Sequence, residues 1–202
     1  MGCNELGDDL YNRSPPFYAR PRSNPNVMRE LFRLFAQIAL SRKGPQDLPA
    51  SALLLAITVV CFSVVHYAVS LLLPEVENWR MQLVVELSVS LVWYAVLLKG
   101  FNKPERFLQT VTAMFGYRMV LAPLWIGAIY VTQRFPDVPV LQFPAAVIGL
   151  AVFIWGILAG GYVLKAALEM PMLACCVLII LEITAAQLVF VAVASTGPGA
   201  AG

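Results

Sequence analysis

PERFLQTVTAMFGYRMVLAP, residues 104–123, begins as a charged turn and continues as a helix that enters a membrane carrying Arg118 with it. An arginine at the centre of a membrane helix is disfavoured by about 3 kcal/mol on insertion scales, so a chain that keeps one there must supply a partner or a wet cavity. The composition around this stretch sets the class. Of 202 residues, 59% are hydrophobic and only 13% are charged, whereas a soluble domain is usually about 25% charged. The fold class is therefore all-α, a polytopic membrane protein. At about 20 residues per span the chain has room for five or six crossings.

Apolar runs place five transmembrane helices at 51–73, 81–98, 108–131, 140–164 and 172–194. Each is long enough to cross a hydrocarbon core of about 30 Å. Pro74 ends the first, and Ser51 is a candidate N-cap for its start. Pro123 lies inside the third and predicts a kink beside Gly127. Ahead of the bundle, residues 27–43 read as an amphipathic interfacial helix. Arg29, Arg33, Gln37 and Ser41 recur at steps of four on one face, and Leu31, Leu34, Phe35 and Ile38 occupy the other. Arg42 and Lys43 follow, and with Arg29 and Arg33 they form the expected membrane-surface contact. Gly44, Pro45 and Pro49 then mark a change of direction before the first span.

Residues 1–26, broken by Pro15, Pro16, Pro21 and Pro25, read as a disordered cytoplasmic tail without a signal-peptide h-region. Met1-Gly2-Cys3 lacks the Ser or Thr that myristoylation requires four residues after Gly2, where Leu6 stands, and no acylation is expected. The Asn12-Arg13-Ser14 sequon precedes a proline on the side assigned to the cytoplasm, so no glycosylation is expected. Residues 195–202 read as a flexible tail. Basic residues divide 11 to 2 between the two sides, with Arg118 left inside the membrane, which places the N-terminus in the cytoplasm and the C-terminus outside.

Within the spans, His66, Glu86, Arg118 and Glu182 are the ionisable groups. At about 1.5 Å rise per residue, Arg118 and Glu182 fall level with each other near the midplane, with Glu86 and His66 nearer the outer face. Arg118 is expected to pair with Glu182, with Glu86 as the competing partner and His66 beside Glu86. Gln82, Glu86 and Ser90 form a polar stripe at steps of four that must face other helices or water. This network reads either as interhelical glue or as a path for protons or substrate. Ala145, Gly149, Gly156 and Gly160 form a smooth stripe on the fourth span, explained equally by packing inside the bundle and by dimerisation.

Other chemistries find no support. A net charge of +2 does not suggest nucleic acid. Cys3, Cys61, Cys175 and Cys176 have neither metal-ligand nor redox spacing, and they read as small packing residues. No HExxH, GxxxxGK or GxSxG occurs, and GPGAAG at 197–202 matches GxGxxG without the strand and helix that give that motif its geometry. No catalytic residue, metal or cofactor is expected, and the chain is expected not to be an enzyme.

FGYRMVLAP in the third span resembles the Gly-Tyr…Pro segment of the Yip-domain (Ypt-interacting-protein-like) membrane proteins. IWGILAGGYVLKAALEMPMLACCVLIILEI, residues 154–183, is similar to that family's Trp-containing fourth helix, short cytoplasmic turn and closing fifth helix. The lead-in GPQDLPAS resembles that of small uncharacterised bacterial members. The resemblance spans roughly residues 28–194. It implies a bacterial inner-membrane protein that acts without catalysis, by binding partners or organising the bilayer, as eukaryotic members do with Rab-type GTPases. Gly116, Tyr117 and Pro123 belong to the family pattern and Arg118 does not. Met28 begins MRELFRLF, a natural start for such a protein, so residues 1–27 are expected to be an upstream extension. The partners expected are the lipid bilayer and other membrane proteins or a homo-oligomer. The alternative function is a small proton-coupled transporter or channel using the intramembrane carboxylates.

Overall fold

The computed structural model describes residues 27–72 and 78–196. The expectations for the N-terminal tail, for Cys3, for Pro74 as a terminator and for GPGAAG all lie outside the described residues. The described elements are α1 (Val27–Ala39), α2 (Ala52–Leu72), α3 (Trp79–Gly100), α4 (Phe107–Arg134), α5 (Pro139–Leu168) and α6 (Met172–Thr196), with single 3-10 turns at Pro45–Asp47 and Pro104–Arg106. Strands are absent among the described residues. Five helices, α2 to α6, are long and apolar enough to cross a membrane.

Side-chain exposure runs as lipid requires. Leu53, Val60, Val64, Val84, Val92, Val96, Val140, Phe143, Leu173 and Leu188 are all more than half exposed. An apolar outer surface this extensive would aggregate in water, and in hydrocarbon it is solvated. The chain is an integral membrane protein.

The elements end where local chemistry stops them. Ser51 Oγ accepts from Leu54 N–H at 3.4 Å, at the long end of a hydrogen bond, as α2 begins. Pro139 occupies the first position of α5, where its missing N–H would have had no intrahelical partner. Glu169, at φ 61°, closes α5 in the left-handed conformation, and Pro171 separates it from α6. α4 runs unbroken through Pro123. At 28 and 30 residues, α4 and α5 are longer than the predicted spans. Their lengths of about 42 and 45 Å exceed the hydrocarbon core and require tilt or protrusion.

α2 to α6 close a ring in the order α2, α4, α5, α6, α3 and back to α2. The ring is solid in one half and hollow in the other. At the end holding Lys103 and Lys165, Thr110 through Tyr117 on α4 are all buried, against Ala159, Val163, Leu164 and Ala167 on α5 and Tyr94 and Leu98 on α3. Glu169 clamps this end, receiving Lys103 Nζ at 2.7 Å and Arg106 Nη1 at 3.0 Å. Arg106 also donates to the carbonyls of Ala166 and Ala167 at 3.1 Å each. Towards the Arg134 end, burial thins to isolated positions such as Leu121, Ala128 and Val152.

α1 ends at Ala39, four residues before the predicted limit, because Ser41 turns the backbone to φ 55°. Arg42 and Lys43 therefore follow the helix rather than continue it. The buried face of α1, Phe35, Ile38 and Ala39, packs on α4 and α5. A Cβ at Gly116 would fall within the Phe35 ring, and Trp155 Nε1 donates to the Ala39 carbonyl at 2.7 Å. Gln109 Nε2 ties the returning chain at the Leu48 carbonyl, at 2.8 Å. Gly116 lies about 14 Å along α4 from its first residue, so α1 sits against the body of the bundle.

Candidate functional site: a charged chain under a half-open cavity

Where the solid half meets the hollow half, α2, α3, α4 and α6 contribute His66, Glu86, Arg118 and Glu182 respectively. Arg118 Nη2 donates to both oxygens of Glu182 at 2.9 Å. Arg118 Nη1 donates to Ser90 Oγ at 3.3 Å and lies 3.6 Å from Glu86 Oε1. Glu86 Oε2 in turn lies 3.3 Å from His66 Nε2. The sequence-predicted groups His66, Glu86, Ser90, Arg118 and Glu182 thus form one connected chain across four helices, with Glu182 nearer than Glu86 to the arginine.

The two carboxylates occupy different surroundings. Glu182 is dry, its side chain 2% exposed, and it accepts from Arg118, from Ser90 Oγ at 2.6 Å and from the Tyr94 hydroxyl. These four donated hydrogen bonds fill its lone-pair sites. Glu86 and His66 are 27% and 24% exposed. Among the described residues Glu86 has two loose polar neighbours, and its side chain faces the cavity.

That exposure is to a cavity of about 470 Å³, half open, rising from Ser90, Tyr117, Arg118 and Glu182 to Ser70, Trp79, Gln133 and Phe190. Its walls are mainly apolar: Phe62, Val65, Val69, Leu121, Trp125, Ile129, Phe153 and Ile183 line it among others. Phe62 stacks on His66 at 4.6 Å and on Phe115 at 5.0 Å, linking the imidazole to the solid half. Gln82 lines the cavity with Glu86 and Ser90, so the polar stripe of α3 faces inward.

The glycine stripe divides by function. At Gly160 a Cβ would meet Tyr117 Oη at 2.6 Å and Ile179 at 3.2 Å, so close approach requires glycine there. At Gly149 and Gly156 the nearest atoms, Ala128 at 3.6 Å and Leu121 at 3.9 Å, leave ordinary contact. All of these neighbours lie within the bundle. Arg29, Arg33, Arg42 and Lys43 are exposed and do not approach the cavity.

Tyr94 was not anticipated. It continues the stripe of Gln82, Glu86 and Ser90 by one more step of four, so the periodicity already pointed to it. Glu169 lacked such a signal, since its two partners lie in another turn. Among the described residues no group of three or more His, Cys, Asp or Glu side chains is placed to hold a metal ion. No family model, curated protein or solved structure matches the chain, and its function is therefore read from its own residues.

Proposed function

We propose that the protein is a small, non-enzymatic proton-coupled transporter whose binding chamber is the half-open cavity and whose proton-handling groups are Glu86 and His66. The observation that supports this reading is the unequal treatment of the two carboxylates at the cavity floor. Interhelical glue alone calls for a dry, fully paired network of the kind Glu182 makes. Glu86 is held loosely and faces an opening instead. The charge bias between loops supports an orientation with the Lys103 end in the cytoplasm, so the cavity would open outward, and the Yip-domain resemblance supports an inner membrane of bacterial type. Reporter fusions at the C-terminus test the orientation, and a cytoplasmic C-terminus would reverse it.

Proteoliposomes loaded with a pH-sensitive dye and challenged with organic cations, organic anions and neutral solutes test transport. Solute-driven proton movement lost in Glu86→Gln is the expected result. The absence of any solute-driven movement across the panel would sink the reading.

A second reading, a partner-binding or membrane-organising component like the Yip-domain proteins, draws on α1. Its Arg29 and Arg33, with Arg42 and Lys43 beyond it, remain exposed while its opposite face is docked. These basic groups suit anionic headgroups or an acidic surface on another membrane protein or a second copy. Under this reading, replacing all four by Gln releases co-purifying anionic lipid or partner without altering the bundle.

A further inference from the structure

We infer that the cavity takes a lipophilic organic monocation, an alkyl- or aryl-substituted ammonium or its equivalent, with Glu86 as its counter-ion. This deepens the transport reading and rests on it for the cation's fate, though not for its binding.

The charges at the floor decide the sign of the ligand. The titratable groups facing Glu86 are His66 from α2, Tyr117 and Arg118 from α4 and Glu182 from α6, and α5 lines the cavity with none. Arg118 and Glu182 cancel through their two hydrogen bonds. The permanently charged Arg118 approaches Glu86 only to 3.6 Å while directed at Glu182, so it leaves the Glu86 carboxylate without an equal partner. A half-open, largely apolar site with one uncompensated negative charge favours a single positive charge. An anion would have to compete with both carboxylates for a guanidinium already engaged.

The walls decide its character. A bare metal ion of the hard type needs about six oxygen ligands, and the surfaces above Glu86 are chiefly hydrocarbon and aromatic. Phe62, Trp79, Trp125, Phe153 and Phe190 line the cavity from α2 to α6, and aromatic faces attract weakly hydrated organic cations while burying their substituents. A volume of about 470 Å³ lies within the range of pockets that hold drug-sized molecules. Proton and cation would occupy Glu86 in turn, since a protonated carboxyl offers the cation no charge.

Tetraphenylphosphonium and tetraphenylborate, which share shape and size and differ in sign, are the probes. Equilibrium dialysis with the full chain in detergent is expected to show saturable tetraphenylphosphonium binding. It should weaken at least about tenfold in Glu86→Gln. Tetraphenylborate should not displace it. Phe153→Ala, which leaves Glu86 intact, should weaken binding as well, and the cation should raise the unfolding temperature of the wild type but not of Glu86→Gln. Equal or tighter binding of tetraphenylborate, or cation binding indifferent to Glu86→Gln in a folded variant, overturns the inference. Saturable cation binding with no solute-driven proton movement would retain the site and remove transport. Proton movement driven only by anions or neutral solutes would do the reverse.

Discussion

Arg118 is stabilised by geometry that does more than neutralise it. Its partner Glu182 is itself held by Ser90 and Tyr94, so the pair is embedded in a four-residue network, and removing either charge leaves the other buried. Arg118→Leu is expected to destabilise the bundle by about 3–5 kcal/mol, read as a lowered unfolding temperature in detergent. Tyr94→Phe removes one hydroxyl and should be milder, about 1–3 kcal/mol. The charge swap Arg118→Glu with Glu182→Arg distinguishes a simple pair from this network. Ser90 and Tyr94 donate to a carboxylate at position 182, and an arginine there gives those donors nothing to accept their protons. The swap should therefore recover only part of the stability lost by the single variants, and full recovery would show that the hydroxyls contribute little. Much of this was legible in the sequence, because helical rise alone brings Arg118 and Glu182 level. The difference between Glu182 and Glu86 was not legible, since it depends on Tyr94 and on the void above Glu86.

At the scale of elements, the spans of α2 to α6 were readable from apolar runs, but the seat of α1 was not. Its alternating charged and apolar faces predict a helix at a surface, and they carry no information about which surface. The deciding residues are Gly116, which leaves room for Phe35, and Trp155, which captures the last carbonyl of the helix. Gly116 sits in the middle of an apolar run, where a glycine is indistinguishable in sequence from one that merely packs. Gly116→Leu is expected to push Phe35 out, at a cost of about 1–3 kcal/mol, and to loosen α1 while α2 to α6 stay assembled. A cysteine introduced as Ile38→Cys, at a position with no exposure, reports this. A water-soluble maleimide should leave it unlabelled beside Gly116 and should label it beside Gly116→Leu, above the background of the native cysteines. Equal labelling in both would mean that α1 does not depend on this contact.

Across the whole molecule, one half of the ring is packed and clamped while the other is hollow. The clamp joins the turn before α4 to the turn after α5 through Glu169, which faces Lys103 and Arg106. Hydrogen bonds from Lys103 and then Arg106, with the Lys103 charge behind them, hold the pKa of the Glu169 carboxyl below the ordinary glutamate value. A carboxylate depressed on folding contributes stability that is fully present above its unfolded value, about pH 4.3, and is lost as pH falls through the lower folded value. The carboxylate is solvent-exposed, so the contribution is further reduced by salt. Glu169→Gln should therefore unfold at a lower temperature than the wild type near neutral pH and low salt. The gap should narrow as the pH drops below the glutamate range or the salt concentration rises. Thermal unfolding of both proteins across a pH series measures it, and a gap that persists unchanged in acid would assign the stabilisation to packing of the turn instead of to the ion pair. Glu86→Gln provides the internal comparison, because its effect should fall on ligand binding in the hollow half while the clamp remains closed.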